Sequence, residues 1–286
     1  MDEHSQRTRV LDEIFHVSKP VIGMVHALPM PGSPRFKRYT LDEVYMHGVA
    51  EALRLKEGGV DGLLLENAGD IPFAKPEDIG HETTAAMSIL GRLIREATGL
   101  PLGIITVANA ALHSLAVAKA CGAQFVRVNQ WANAYVANEG IIEGAAARAL
   151  RYRSWIEADD VRIFADVHVK HGSHAIVADR PLSEQAIDVE FFDADVLIAT
   201  GYRSGGPTLP SEVEGIRSHV SLPVVVGSGI DVNNCEPLLA LADGAIVGSS
   251  IKVEGKMHSD VDVEKVRALM AAVRKVRGHT SKIVPI

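Results

Sequence analysis

Short apolar runs alternate along this chain with longer amphipathic stretches, and most junctions carry glycine, proline or a polar cluster. In the opening segment, 1–19, Leu11, Ile14, Phe15 and Val17 fall at helical spacing before Lys19-Pro20 interrupts them. That spacing predicts a helical lead-in. Val21 to Val25 is an apolar run ending in His26, the first predicted strand. The stretch Leu28-Pro-Met-Pro-Gly-Ser-Pro34 is too rich in proline for a helix or an inner strand and predicts a stiff loop continued by Arg35, Phe36 and Lys37. Thr40-Leu-Asp-Glu43 has the form of a capping box, so a helix is expected from there to about Glu57, stopped by Gly58-Gly59.

The alternation continues to the end. Further strands are expected over Val60–Leu65, Leu102–Val107, Phe125–Asn129, Arg162–Asp166, Asp195–Ala199, Pro223–Val226 and Gly244–Val247. Helices are expected over about His81–Ala97, Asn109–Ala120, Glu143–Glu157, Ser183–Phe192, Ser211–His219, Val232–Leu241 and Asp262–Arg277. Gln130–Gly140 and Thr200–Pro207 read as loops. That makes eight strands, each followed by a helix. Strict alternation calls for parallel strands with right-handed crossovers, and eight such units close a (β/α)8 TIM barrel.

A weak internal repeat supports the count. The even strands begin alike, at Gly59-Val-Asp61, Gly122-Ala-Gln124, Asp193-Ala-Asp195 and Leu241-Ala-Asp243, whereas odd strands begin at or after Pro20, Pro101 and Pro223. A two-unit period fits a barrel whose alternate strands fill alternate core layers. The rival, an open doubly wound sheet, would bring a glycine fingerprint after the first strand, and His26-Ala-Leu-Pro-Met-Pro31 is unlike one. The expectation is one barrel domain over 1–286, its core at about 20–277, an α/β fold with a helical lead-in.

Composition narrows the class of function. The chain has 286 residues, 47% hydrophobic and 23% charged, an ordinary globular balance. The formal net charge of −7 argues against nucleic acid as the main partner, because phosphate backbones need clustered Lys and Arg. Cys121 and Cys235 lack zinc or CxxC spacing and read as small apolar fillers in a reducing compartment. No apolar run reaches the ~18 residues of a membrane span, and Met1–Arg9 has no signal-peptide core. A cytoplasmic location is expected.

In a barrel of this kind the active site lies at the C-terminal ends of the strands. The first five strand ends are polar, with His26, Glu66-Asn67, Thr106, Asn129, and Asp166 followed by His168, Lys170 and His171. The last three are Thr200-Gly201, Gly227-Ser228-Gly229 and Gly248-Ser249-Ser250. Backbone N–H groups and hydroxyls at such turns can cradle a phosphate; ordinary tight turns are the alternative. Asp166, His168, Glu66, Lys170 and His26 are the candidate catalytic residues, suited to proton abstraction or leaving-group protonation. Alternation would put Asp166, His168 and Lys170 on one side of an extended segment. Asp166, His168 and Glu66 could also hold a divalent ion, a candidate cofactor, or the cluster could be a charged surface loop. Asn129, Asn67, His171 and Thr200 are candidate substrate contacts. In an alternating strand Arg127 and Asn129 could both point inward.

Several motifs resemble a known family. Pro20-Val-Ile-Gly-Met-Val-His26 with Leu28–Pro34, Glu66-Asn-Ala-Gly-Asp-Ile-Pro-Phe73, Gly140-Ile-Ile-Glu-Gly144, Phe164-Ala-Asp-Val-His-Val-Lys-His171 and Val226-Gly-Ser-Gly229 are similar to blocks of the BtpA/SgcQ family. The resemblance spans about 20–277 and implies a phosphate-binding barrel of the ribulose-phosphate class. It implies either an enzyme acting on a small phosphorylated metabolite, such as a sugar phosphate or nucleoside-like compound, or a non-catalytic photosystem I assembly protein peripheral to a membrane. Members of the class often form homo-oligomers. Two loops depart from the family pattern, Ile105-Thr-Val-Ala-Asn-Ala110 and Gln130-Trp-Ala-Asn-Ala-Tyr-Val-Ala-Asn-Glu139.

Overall fold

The computed structural model describes residues 3–201 and 206–280. Among these, eight parallel strands close into a barrel: β1 (Val21–His26), β2 (Gly62–Glu66), β3 (Leu102–Ile105), β4 (Phe125–Val128), β7 (Arg162–Asp166), β8 (Val196–Ala199), β9 (Val224–Val226) and β10 (Gly244–Val247). The barrel closes through β1 and β10, with Val21 opposite Ala245. The helices between them are α2 (Leu41–Gly58), α3 (His81–Thr98), α4 (Ala111–Cys121), α5 (Ala146–Trp155), α6 (Leu182–Phe191), α7 (Pro210–Arg217) and α8 (Cys235–Leu241), and α9 (Val263–Thr280) follows β10. The expected (β/α)8 architecture is therefore present. Residues 202–205 of the loop expected over Thr200–Pro207 lie outside the described residues.

Local signals act where they were read. Thr40 Oγ1 accepts from the Glu43 N–H, and Glu43 Oε2 accepts from the Thr40 N–H at 2.7 Å, starting α2. Gly59 ends it with φ 92°, a left-handed conformation that costs a side-chain-bearing residue energy. One expectation is corrected. The stretch read as a loop over Gln130–Gly140, with the start of the helix placed at Glu143, is an antiparallel hairpin, β5 (Ala134–Ala137) with β6 (Gly140–Glu143). Its strands are four residues each, too short to give a clear period-2 signal.

Two apolar layers share the strands. Val126, Val128, Leu63 and Leu65 face the helices, while Phe125, Phe164, Leu64 and Ile198 fill the barrel. The lead-in helix α1 (Glu3–Phe15) plugs the N-terminal end, with Leu11, Ile14 and Phe15 joining the interior cluster. The Phe15 ring meets Phe125 edge-on at 5.8 Å, and Phe125 stacks on Phe164 at 4.4 Å. Arg7 fixes α1 by donating to the carbonyls of Leu222, Arg217 and Val220. A filled floor forces any ligand to the opposite, C-terminal mouth. At Gly103 an added Cβ would lie 2.1 Å from a Phe125 ring carbon, so a strand glycine admits the aromatic that closes the floor.

Gly103→Ala is expected to destabilise the fold by about 1–3 kcal/mol through overpacking. In a urea double-mutant cycle with Phe125→Leu, the pair should cost about 1 kcal/mol less than the sum of the single changes. Additivity would show that the ring and the glycine do not compete for one space.

Candidate active site

The C-terminal mouth opens on a cavity of about 620 Å³. Glu66, Arg127, Asn129 and Lys170 stand on one part of its wall, with His26 beside them. Gly227-Ser-Gly229 and Gly248-Ser-Ser250 form another part of it. Tyr135, Ala137, Asn138 and Glu139 of the β5–β6 hairpin add a third. The hairpin is tied to the loop after β7, because Val136 exchanges backbone hydrogen bonds with Ser173 at 2.8 and 2.9 Å. Tyr135 stacks on His174 at 5.2 Å, and Gly172 leaves room for the Tyr135 ring.

The wall is organised by one buried ion pair. Arg127 donates through Nε and Nη2 to the two oxygens of Asp166, both at 2.9 Å. The Asp166 side chain is 0% exposed and that of Arg127 4%. The fork geometry is the strong, directional form of this interaction. Asn129 Nδ2 adds a longer contact to Asp166 at 3.3 Å. Asp166 therefore lies behind the cavity wall, and its carboxylate is committed to neighbours rather than open to a ligand.

His168 also departs from its expected place. The chain leaves the extended conformation after β7, and His168 does not join Asp166 and Lys170, whose opposite charges attract each other. The Thr200 hydroxyl donates to the His168 carbonyl at 3.0 Å, and the His168 ring packs edge-on against His174 at 3.7 Å. Burial, with His174 adding to it, pushes the His168 pKa down to about 4, so the ring is neutral at pH 7. Among the described residues Asp166, His168 and Glu66 do not bring their ligand atoms together into a metal-type grouping. Among the described residues the metal-type grouping is His47, Glu51 and Asp260, a set that includes none of these three. There the Lys252 ammonium and the Arg54 guanidinium already occupy Glu51.

Other expected contact residues make hydrogen bonds within the protein. Asn67 donates to Asp70 at 2.8 Å and accepts from the Val107 N–H at 2.8 Å, using both ends of its amide to pin the loop after β2. Asp70 also accepts from the Met30 N–H at 2.6 Å, and burial raises its carboxyl to about 6. Thr200 is spent on His168, and the Gly201 N–H donates to Ser228 Oγ at 3.0 Å; of these, Ser228 borders the cavity and Thr200 and Gly201 do not. Ser250 Oγ donates to the Ile230 carbonyl at 2.7 Å. Its backbone, like those of Gly227, Gly229, Gly248 and Ser249, still borders the cavity.

The groups that face the cavity are tuned. Burial raises the Glu66 pKa, opposed by Arg127 and Lys170 and assisted by Asp166. Burial, then the Arg127 charge, lowers Lys170 to about 8 against the pull of Asp166 and Glu66. Burial and the charges of Lys252, Lys170 and His258 drive His26 well below its ordinary value. Its Nε2 stands 3.5 Å from Glu66 Oε2. His171 borders the cavity with φ 68°. An acid, an amine and a neutral imidazole thus crowd the mouth, where proton transfer is chemically feasible.

Sequence reasoning pointed Arg127 inward beside Asn129 but gave it no role, and it did not count Tyr135 among the site residues. An arginine inside the apolar run Phe125–Val128 was the available signal, since a charge there must find a buried partner. Tyr135 gave no such signal, because only the hairpin brings it over the mouth. The two atypical loops prove to be joined: Asn109 accepts from the Gln130 N–H at 2.8 Å and donates to the carbonyls of Gln130 and Glu143.

The model of the BtpA family matches residues 17–275. The chain belongs to the BtpA family. A protein of Archaeoglobus fulgidus is 39% identical over 258 residues, covering 90% of this chain and all of that one. The photosystem I biogenesis protein BtpA of Synechocystis is 35% identical over 270 residues, covering 92% of this chain and 91% of its own. Among solved structures, (S)-3-O-geranylgeranylglyceryl phosphate synthase from Thermoplasma acidophilum, solved with its substrate sn-glycerol-1-phosphate, superposes with a TM-score of 0.57. It shares 14% identity over 96% of this chain and 99% of its own, a likeness of fold. No described helix is long and apolar enough to cross a membrane.

Arg127→Met is expected to cost about 3–5 kcal/mol in urea unfolding, because it strands the Asp166 carboxylate in the interior. Replacing both, Arg127→Met with Asp166→Leu, should return most of that stability. Equal losses in the single and double variants would mean the pair is not what the single change breaks.

Proposed function

We propose that this BtpA-family barrel is an enzyme acting on a small phosphorylated metabolite by acid–base chemistry at its C-terminal mouth. The observation that carries the reading is the sharing of one cavity by Glu66, Lys170 and His26 with the Gly-Ser turns after β9 and β10. The phosphate would lie against Gly227, Ser228, Gly229, Gly248 and Ser249, where glycine permits close backbone approach. The sn-glycerol-1-phosphate named with the Thermoplasma neighbour is the kind of molecule such a mouth accommodates.

In this reading Glu66 is the general base and takes a proton from the bound metabolite. Its raised pKa brings it closer to the working pH than an ordinary carboxylate. Lys170, an ammonium at pH 7 because its pKa is about 8, faces the oxygen on which negative charge develops. Arg127, held by Asp166, sets the field that both groups feel. His26 is neutral and can relay a proton to or from Glu66. Asp166 acts as a positioning residue through Arg127. Isomerisation, lyase cleavage and hydrolysis each use such a base and oxyanion partner.

The name of the Synechocystis relative supports a second reading, a non-catalytic role in photosystem I assembly. A thermal-shift screen with phosphorylated sugars and nucleotides separates the two. The enzyme reading expects a ligand that raises the melting temperature of the native chain and loses its effect in Ser249→Asp, which places a carboxylate against the phosphate. No shift with any member of the screen would favour the assembly role.

With a turned-over ligand in hand, activity should decline as pH rises through about 8, where Lys170 loses its proton. Lys170→Met should lower kcat by ~10²–10⁴-fold, and Lys170→Arg should move the alkaline limb upward. An unmoved limb in Lys170→Arg would remove Lys170 from the reaction.

A further inference from the structure

Beside the main cavity lies a smaller one of about 160 Å³, between the loop after β1 and the segment after β10. The two share His26 and Met257 on their walls and so lie side by side, with His26 between them. The lining of the smaller cavity is rich in basic side chains. Arg35, Arg38, Lys252, His47 and His258 border it, and among the described residues no aspartate or glutamate does. In a chain of net charge −7 that is a concentrated exception.

The local backbone explains how the two arginines meet. Phe36–Arg38 is a 3-10 turn, with the Arg38 N–H donating to the Arg35 carbonyl at 3.2 Å. Three residues per turn place side chains at i and i+3 on the same side, so Arg35 and Arg38 project together. The loop is anchored just before the turn, at Met30 and Pro31. Met30 N–H donates to Asp70, and the Thr83 hydroxyl donates to the Pro31 carbonyl at 3.0 Å. Arginines on a fixed turn lose less freedom on binding than arginines on a free loop.

The charges have different owners. The Lys252 ammonium lies 2.7 Å from Glu51 Oε2, so its charge is largely met from behind the cavity. Asp260 pairs with Arg54 at 3.2 Å and lies 3.9 Å from His47. Among the described residues the guanidinium groups of Arg35 and Arg38 have no hydrogen-bond or ion-pair partner, although both border a cavity. A planar guanidinium fork suits carboxylate or phosphate oxygens, and two of them favour a group that carries several.

We infer that Arg35 and Arg38, with His258, form a second anion subsite, and that the substrate bears an anionic group at each end. One end is the phosphate at the Gly-Ser turns; the other is a phosphate or carboxylate beyond His26. The inference rests on the phosphate reading of those turns and adds the substrate class to it. The reacting carbon atoms then lie between the two anchors, against Glu66, His26 and Lys170. Fixing both ends supplies the orientation that proton transfer needs.

Isothermal titration with α,ω-alkanediol bisphosphates from propane to octane, each beside its alkyl monophosphate, tests this directly. At least one bisphosphate should bind the native chain about 10-fold or more tightly than its monophosphate. Arg35→Ala/Arg38→Ala should bring that bisphosphate to the monophosphate's level, and Arg35→Lys/Arg38→Lys should recover part of the difference. Both arginines are exposed, so the variants should melt like the native chain. Lys37→Ala, which removes a charge from the same turn outside the cavity, should keep the advantage. Monophosphate binding without any bisphosphate advantage, or an advantage that survives the double alanine change, would overturn the second subsite and leave the first. Failure of every monophosphate to bind the native chain would overturn the phosphate reading itself, and this inference with it. A parallel series of ω-carboxyalkyl phosphates distinguishes a distal carboxylate from a distal phosphate.

Discussion

The bidentate contact between Arg127 and Asp166 is the constraint on which the mouth of this barrel depends. A guanidinium on β4 and a carboxylate at the end of β7 are both removed from water, which is costly unless each satisfies the other. Adjacent strands in parallel register, with Val128 opposite Ala165, place the two side chains to meet. The contact therefore joins two strands and caps the apolar interior below. It also fixes a positive charge beside the cavity. That charge helps lower Lys170 and opposes the rise in Glu66, so the structural pair sets the chemistry of the groups that face solvent.

The floor and the roof divide the remaining work. Helix α1 fills the N-terminal end with Phe15 against Phe125, leaving the cavity a single mouth at the C-terminal end. The β5–β6 hairpin covers part of that mouth and is braced on the loop after β7. The loops that depart from the family pattern build this roof: Asn109 in one holds Gln130 in the other. The departures thus fall on one wall of the cavity, while the Gly-Ser turns and the strand-end charges match the shared pattern.

Much of the candidate site was legible from strand-end residues alone. Glu66, Lys170, His26 and both Gly-Ser turns border one cavity because a closed parallel barrel gathers every C-terminal strand end at one mouth. Asp166 and His168 were misplaced for two different reasons. A carboxylate at a strand end looks the same in sequence whether it faces the cavity or a buried arginine on the neighbouring strand. The period-2 argument for His168 failed because the chain turns out of the extended conformation after Asp166, and His171 has positive φ.

The sequence by itself determined the order of elements, the barrel and the mouth at which chemistry can occur. Those follow from local periodicity, from glycine and proline at junctions and from the geometry of repeated β–α units, all short-range properties. Tertiary structure alone decided which polar side chains spend their hydrogen bonds on the protein. Asn67, Thr200 and Asp166 are consumed by partners distant in the chain, whereas Lys170 and the Arg35–Arg38 pair are left facing cavities. The reason is that a buried polar group must be paired, and its partner is chosen by how the strands and loops meet in space.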